Sequence, residues 1–186
     1  MATSTQPTTT TTWNIEPNHS LVEFTAKHMM ITTVKGRFRD VTGTINIDDK
    51  NPDHSTVEAS MAAASIDTGV AQRDQHLASA DFLDAATHTA VTFKSRKISG
   101  ARAESGDEFT VVGDLTIRGT TREITLKATY EGQGKDPWGG QRISFTASAR
   151  IDRREFGLTW NQALETGGIL VSNEIKINIE VQAVRA

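Results

Sequence analysis

Glu174-Ile175-Lys176-Ile177-Asn178-Ile179-Glu180-Val181-Gln182-Ala183-Val184 alternates strictly between polar and apolar residues as far as Ala183. Successive side chains of a β-strand point to opposite faces, so Ile175, Ile177, Ile179, Val181 and Ala183 fall on one side and Glu174, Lys176, Asn178, Glu180 and Gln182 on the other. A helix would scatter both sets around its circumference. The segment is therefore a strand with one face in a core and the other in water.

Moving back along the chain, the same period recurs. Ile143, Phe145, Ala147, Ala149 and Ile151 alternate with Ser144, Thr146, Ser148 and Arg150, and Ile124, Leu126, Ala128 and Tyr130 alternate with Thr125, Lys127 and Thr129. Weaker alternation marks 21–27, 35–47, 57–66, 91–98 and 109–117, with Gly, Asp, Asn and Pro between the runs. These segments give eight or nine strand candidates and an all-β chain. One stretch resists: Ala71 to Leu83, AQRDQHLASADFL, lacks β-branched residues and carries Gln, His, Leu and Ala at helical spacing. It reads as a short helical excursion over one end of the sheet.

Antiparallel strands with one wet face bury the other by packing two sheets or by closing into a barrel. An eight-stranded barrel is just wide enough to be filled by its own side chains or to hold one small ligand. Here the inward set mixes large Phe24, Met61, Phe93, Phe109 and Phe145 with small Ala59, Ala63, Gly113, Ala128, Ala147, Ala149 and Ala183. Small inward residues leave volume for a ligand, unless the sheets approach more closely there or the 71–83 segment plugs the space. The residues alone leave these alternatives open.

The totals exclude several functions. At 186 residues the chain suits one core, and a net charge of −3 from 20 basic and 23 acidic residues gives no footprint for nucleic acid. With no cysteine there is no disulfide, thiolate metal site or cysteine nucleophile. Seven threonines and no charge in residues 1–12 read as a disordered tail, with one domain over 13–186. No signal-length apolar run and no span of about 18 apolar residues is found, so the expectation is a cytoplasmic protein with no stable membrane insertion.

Candidate chemistry is sparse. The five histidines, His19, His28, His54, His76 and His88, form neither His-x-His nor His-Glu-x-x-His, so no metal is expected. The Asp48–Asp53 run lacks the glycine and distant glutamate of an EF-hand and reads as a hairpin turn. Arg73, Asp74 and His76 place a cation, an acid and a base within four residues. They suit either an Arg73–Asp74 pair fixing a loop over the barrel mouth or a site for a ligand's polar head. There is no Gly-x-Ser-x-Gly elbow and no phosphate-cradling glycine loop, and no catalytic residue is assigned.

Five segments in fixed order carry a more specific signal: HSLVEFTAKHMMITTVKGRF (19–38), SIDTG with RDQHLASADFLDA (65–85), VTFKS (91–95), VVGDLTIRGTTREITL (111–126) and IDRREFGL (151–158). Together they resemble the YceI-like family of lipocalin-like polyisoprenoid-binding proteins. The resemblance rests residue by residue on His19, Ser20, Phe24, His28, Val34, Gly36 and Phe38; on Asp67, Thr68, Arg73, Asp74, His76, Leu77, Phe82 and Asp84; and on Gly113, Leu115, Thr116, Ile117, Gly119, Arg153, Phe156 and Gly157. Thr89 and Glu123 stand where the family's pattern has proline, which bears on turn geometry at two strand starts.

The resemblance implies an eight-stranded antiparallel lipocalin-like barrel around a hydrophobic tunnel. It further implies a non-enzymatic protein that binds a long-chain isoprenoid lipid, a prenyl quinone or prenyl phosphate, for transport, storage or shielding. No cofactor is implied besides that lipid. The expected tunnel wall is Phe24, Phe38, Met61, Phe93, Leu115, Leu126 and Phe145, with Leu77, Phe82 and Trp160 near the lid and Arg73, Asp74 and His76 as head-group candidates. Two other readings stand beside it: an enzyme modifying a prenyl lipid at the barrel mouth, and a solid β-sandwich acting as a protein-interaction module, with a homodimer among its forms.

Overall fold

The computed structural model describes residues 9–186. Among them the strands run β1 (Thr10–Ile15), β2 (Leu21–His28), β3 (Thr32–Phe38), β4 (Val41–Asp48), β5 (Thr56–Ala62), β6 (Ile66–Asp67), β7 (Ala90–Ser99), β8 (Glu108–Ile117), β9 (Thr120–Lys135), β10 (Gln141–Asp152) and β11 (Glu174–Arg185), with one helix, α1 (Ala71–Ala78), between β6 and β7. The alternating segments are strands as expected, and α1 stops five residues short of the expected helical stretch. Ser79 ends it, its amide and hydroxyl both donating to the His76 carbonyl, and Phe82 and Leu83 follow in tight turns.

β11 organises the sheet. One edge pairs with β10 from Asp152↔Glu174 to Arg142↔Val184. The other is shared by two strands end to end: β1 takes Ala183 to Arg185 and β2 takes Lys176 to Glu180. β1 pairs in turn with β4, β2 with β3, β4 with β5 and β3 with β6. The eleven segments are thus eight strands, three of them interrupted: β1 with β2, β3 with β4, and β5 with β6. Each neighbours the next around a closed antiparallel barrel, completed by β5–β7–β8–β9–β10–β11. The stretch 35–47, read as one strand, is divided at Arg39 and Asp40.

The three breaks sit side by side, and side chains replace the missing ladder bonds. Ser65 Oγ accepts from the Asp40 amide at 3.1 Å and donates to the Ala62 carbonyl at 2.7 Å. Ser20 Oγ accepts from the Gln182 amide at 3.1 Å and donates to its carbonyl at 3.2 Å. Across the Arg39–Asp40 break the inward parity changes, from Val34, Gly36 and Phe38 to Val41, Gly43 and Ile45. Two bulges, at Arg96 and Glu131, add the local twist that closing a sheet requires.

Part of the threonine-rich stretch read as a tail is strand. Residues 1–8 of that stretch lie outside the described residues, but Thr10, Thr11 and Thr12 are strand, paired with Asp48, Ile47 and Asn46. β-branched threonine fits an extended, half-exposed strand, and here β4 stands alongside to pair with it. Glu123 also differs from expectation: it lies inside β9 opposite Asp114, sharing Arg96 with it. Thr89 stands just before β7 and accepts the Ala63 amide through its carbonyl.

Candidate functional site

The inward faces do not fill the barrel. A cavity of about 420 Å³ runs along it, lined overwhelmingly by apolar side chains. Phe24, Phe38, Phe109, Phe145, Ile177 and Ile179 point inward yet are only half-buried, because part of each faces the cavity instead of another side chain. A solid sandwich would leave no such surface.

Of the small inward residues, Ala59, Ala128 and Ala147 lie on the wall. Ala63, Gly113 and Ala183 are covered by neighbours. Ala183 is fully buried among Trp13, Tyr130 and Ile143, and Ala63 is 1% exposed. Gly113 leaves no void: a Cβ there would stand 2.5 Å from Phe93 Cζ, so the Phe93 ring uses that space. Gly36 is covered in the same way by Phe24.

Nine of the ten expected wall residues line the cavity: Phe24, Phe38, Met61, Leu77, Phe82, Phe93, Leu115, Leu126 and Phe145. Trp160 does not. It packs behind the lid, with ring centroids 5.3 Å from Phe82 and 4.7 Å from His76. Sequence reasoning did not assign Trp13, Tyr130, Ile143, Phe156 or the β11 isoleucines to the wall. The β11 residues were visible as an inward row, whereas Trp13 was hidden by the threonine run before it.

None of Arg73, Asp74 and His76 is on the cavity wall. Arg73 and Asp74 do not pair with each other; both hold Thr68. Asp74 Oδ1 accepts from the Thr68 amide and hydroxyl at 2.8 and 2.6 Å, and Arg73 donates to Thr68 Oγ1 and its carbonyl at 2.7 and 3.0 Å. His76 Nε2 meets Asp81 Oδ2 at 2.9 Å, and its ring stands edge-on to Phe82. The three residues position the lid.

The cavity's two ends differ. At the lid end Phe82, Leu83, Phe156 and Leu158 are all buried, and Arg153 closes the wall at 4% exposure. Arg153 donates to the carbonyls of Ser172, Leu158 and Trp160 at 2.9, 2.7 and 2.8 Å, fastening the 158–172 segment to the barrel. Burial lowers its pKa from the ordinary arginine value, with the Asp152 carboxylate acting in the opposite sense. At the opposite end, where the β4–β5, β7–β8 and β9–β10 turns gather, the wall includes exposed Asp49, Arg102, Ala103 and Gln133.

Among the described residues no group of three or more His, Asp or Glu is arranged to hold a metal, and no helix is long and apolar enough to cross a membrane. The Asp48 carboxylate is engaged in its own turn, accepting from the Lys50 and Asn51 amides at 3.0 Å each.

Comparison with known proteins agrees with this architecture. The chain is 37% identical to Protein YceI of Escherichia coli O157:H7 over 170 residues, 91% of this chain and 84% of that one. BcnA of Burkholderia cenocepacia has the same fold, with a TM-score of 0.76 at 23% identity over 90% of this chain and 98% of that one. So does a polyisoprenoid binding domain from Saccharophagus degradans implicated in plant cell wall breakdown, with a TM-score of 0.70 at 14% identity over 94% and 98%. The family model described as the YceI-like domain matches residues 13–183, and the chain belongs to the YceI-like family.

Proposed function

We propose that the protein binds a long-chain polyisoprenoid, a prenyl quinone or prenyl phosphate, within the barrel, for transport, storage or shielding. The observation that carries this reading is the apolar cavity of about 420 Å³ enclosed by the inward rows of the strands. Ligand sites commonly occupy roughly 300–1,000 Å³ and are mostly apolar with few polar groups, as this one is. The Saccharophagus degradans domain of the same fold is described as polyisoprenoid binding, which supports the class of ligand.

An apolar chain contributes about 0.8 kcal/mol per buried CH₂, so roughly 20 such groups supply ~16 kcal/mol before the cost of ordering. Such a tail needs no strong polar contact to bind, and smooth walls suffice. The wall residues proposed to touch it are Phe24, Phe38, Met61, Phe93, Leu115, Leu126 and Phe145, with Leu77 and Phe82 at the lid end. Arg73, Asp74 and His76, engaged with Thr68, Asp81 and the lid, have no part in the proposed site.

The test is mass spectrometry of an organic extract of the natively purified protein. The expected result is a prenyl lipid near one per protein. An extract that is empty, and stays empty after incubation with prenyl quinones and prenyl phosphates, would sink the reading.

A further inference from the structure

Every exposed residue on the cavity wall, Asp49, Arg102, Ala103 and Gln133, is at the turn end, while the lid end is sealed by buried Phe82, Leu83, Phe156 and Leu158. A lipid threaded into this barrel meets water at one end only. Its head group, which carries the polar surface, belongs there.

The turn end also offers polar contacts. Arg102 sits in the β7–β8 loop, folded over the opening so that Ala101, Arg102 and Ala103 all face the cavity. The loop is moored on both flanks. The Ala101 amide donates to Asp53 Oδ1 at 2.8 Å on the β4–β5 turn, and Ser105 Oγ donates to the Glu131 carbonyl at 2.6 Å on β9. Between the moorings, and among the described residues, Arg102 makes no side-chain hydrogen bond or ion pair, unlike Arg96, Arg142, Arg150 and Arg154. Gln133, paired with Ile143, turns inward after the Glu131 bulge and brings an amide to the same rim.

The surrounding charge selects among head groups. Asp49 is itself on the wall, and the loops over 48–54, 100–108 and 131–136 carry more carboxylates than cations. A dianion approaching this end is repelled, whereas an uncharged acceptor meets two donors without that penalty.

Resting on the binding reading above, we infer that Arg102 and Gln133 form the head-group subsite at the turn end, and that it takes an uncharged, hydrogen-bond-accepting head of the quinone kind in preference to a phosphate. The tail then runs from the turns toward Phe82 and Phe156. This places the head at the end opposite Arg73, Asp74 and His76.

The experiment uses lipid-stripped full-length protein and three probes sharing a three-isoprene tail: farnesene, the matching ubiquinone and farnesyl monophosphate. Hydrogen bonds to charged groups are stronger than those between neutral partners. Arg102→Ala is thus expected to weaken ubiquinone binding about ten-fold, since ~1.4 kcal/mol is one decade, and to leave farnesene unchanged. Wild-type protein should prefer the ubiquinone to the phosphate. A ubiquinone bearing a photoreactive group on its ring should cross-link to residues 49–55 or 101–103. Cross-links in 77–83 or 153–158, an unchanged ubiquinone affinity in Arg102→Ala/Gln133→Ala, or tighter binding of the phosphate would overturn the inference while leaving lipid binding intact. Failure of wild-type protein to bind even farnesene would instead overturn the binding reading on which the inference rests.

Discussion

Gly36 and Gly113 each make room for a phenylalanine ring, but their surroundings differ. The three atoms nearest a Cβ at Gly36 would all be side-chain atoms, Phe24 Cζ at 2.3 Å, Phe24 Cε1 at 2.8 Å and Thr68 Cγ2 at 2.9 Å. At Gly113 it would also meet the Lys94 carbonyl oxygen at 2.6 Å, which belongs to the neighbouring strand's backbone. A ring can turn into the cavity; a ladder cannot yield so cheaply. Gly113→Ala should therefore cost about 1–3 kcal/mol, and Gly36→Ala clearly less, in denaturant unfolding. Equal costs would remove the distinction. Arg153 presents the converse case, a buried cation surrounded by carbonyls. Arg153→Leu strips donors from Ser172, Leu158 and Trp160 together, and buried unpaired carbonyls cost roughly 1–3 kcal/mol each. The expected loss is at least about 3 kcal/mol, with Arg153→Lys intermediate because one ammonium cannot reach all three. Stability within about 0.5 kcal/mol of wild type in either variant would rule out the fastening role.

At the level of elements, the break after β1 is held by ion pairs. Arg142 on β10 binds both Glu16, which follows β1, and Asp136 in the β9–β10 turn. The Arg142 side chain and the Gly140 amide hold the Asp136 carboxyl below its ordinary pKa. For Glu16, desolvation acts upward but is outweighed by hydrogen bonds from His19, Arg142 and Gln182, so its pKa is also lowered. Carboxyls with depressed pKa stabilise the fold above the ordinary carboxylate range, and that contribution fades as pH falls below about 4. Acid titration of stability should accordingly show a shallower loss below pH 4 in Arg142→Gln than in wild type; parallel curves would exclude the clasp as the cause.

The same elements show what could be read from sequence. β10, β11 and the first part of β9 were the most legible because one face is wet along their length and period two survives, whereas β7 changes parity at the Arg96 bulge. The interruptions were not, because parity changes at Arg39–Asp40 and the breaks are bridged by Ser20 and Ser65, whose partners are distant in sequence. The wall was largely legible for the same reason as the strands. The head-group candidates misled because a cluster of Arg, Asp and His looks alike whether it faces a ligand or, as here, holds Thr68 and Asp81.

For the molecule as a whole, the empty axis is what distinguishes this barrel from a filled one. Ala147 is on its wall and half-buried, so Ala147→Trp adds a ring to the cavity with space to receive it. The variant should keep its far-ultraviolet circular dichroism while losing prenyl lipid uptake. A folded Ala147→Trp protein with undiminished uptake would move the ligand elsewhere. Loading should also raise the melting temperature of wild type, since a ligand that binds only the folded state stabilises it by roughly 2.7 kcal/mol at a hundred times Kd, and should leave Ala147→Trp unchanged.

Closure of the barrel joins its first strand segments to its last strand: β2 pairs with Lys176–Glu180 of β11, and β1 pairs Trp13 with Arg185, Asn14 with Val184 and Ile15 with Ala183. During synthesis β1 emerges before the rest of the barrel, yet one of its two partners is the barrel's last strand. Until β11 has been made, the nascent barrel is at best an open meander whose apolar inner rows face water. Contacts of such long sequence separation are slow to form, and exposed strand edges invite pairing with other chains. The ring that encloses the apolar cavity in the finished barrel thus leaves the growing polypeptide's inner rows unsheltered until β11 is in place.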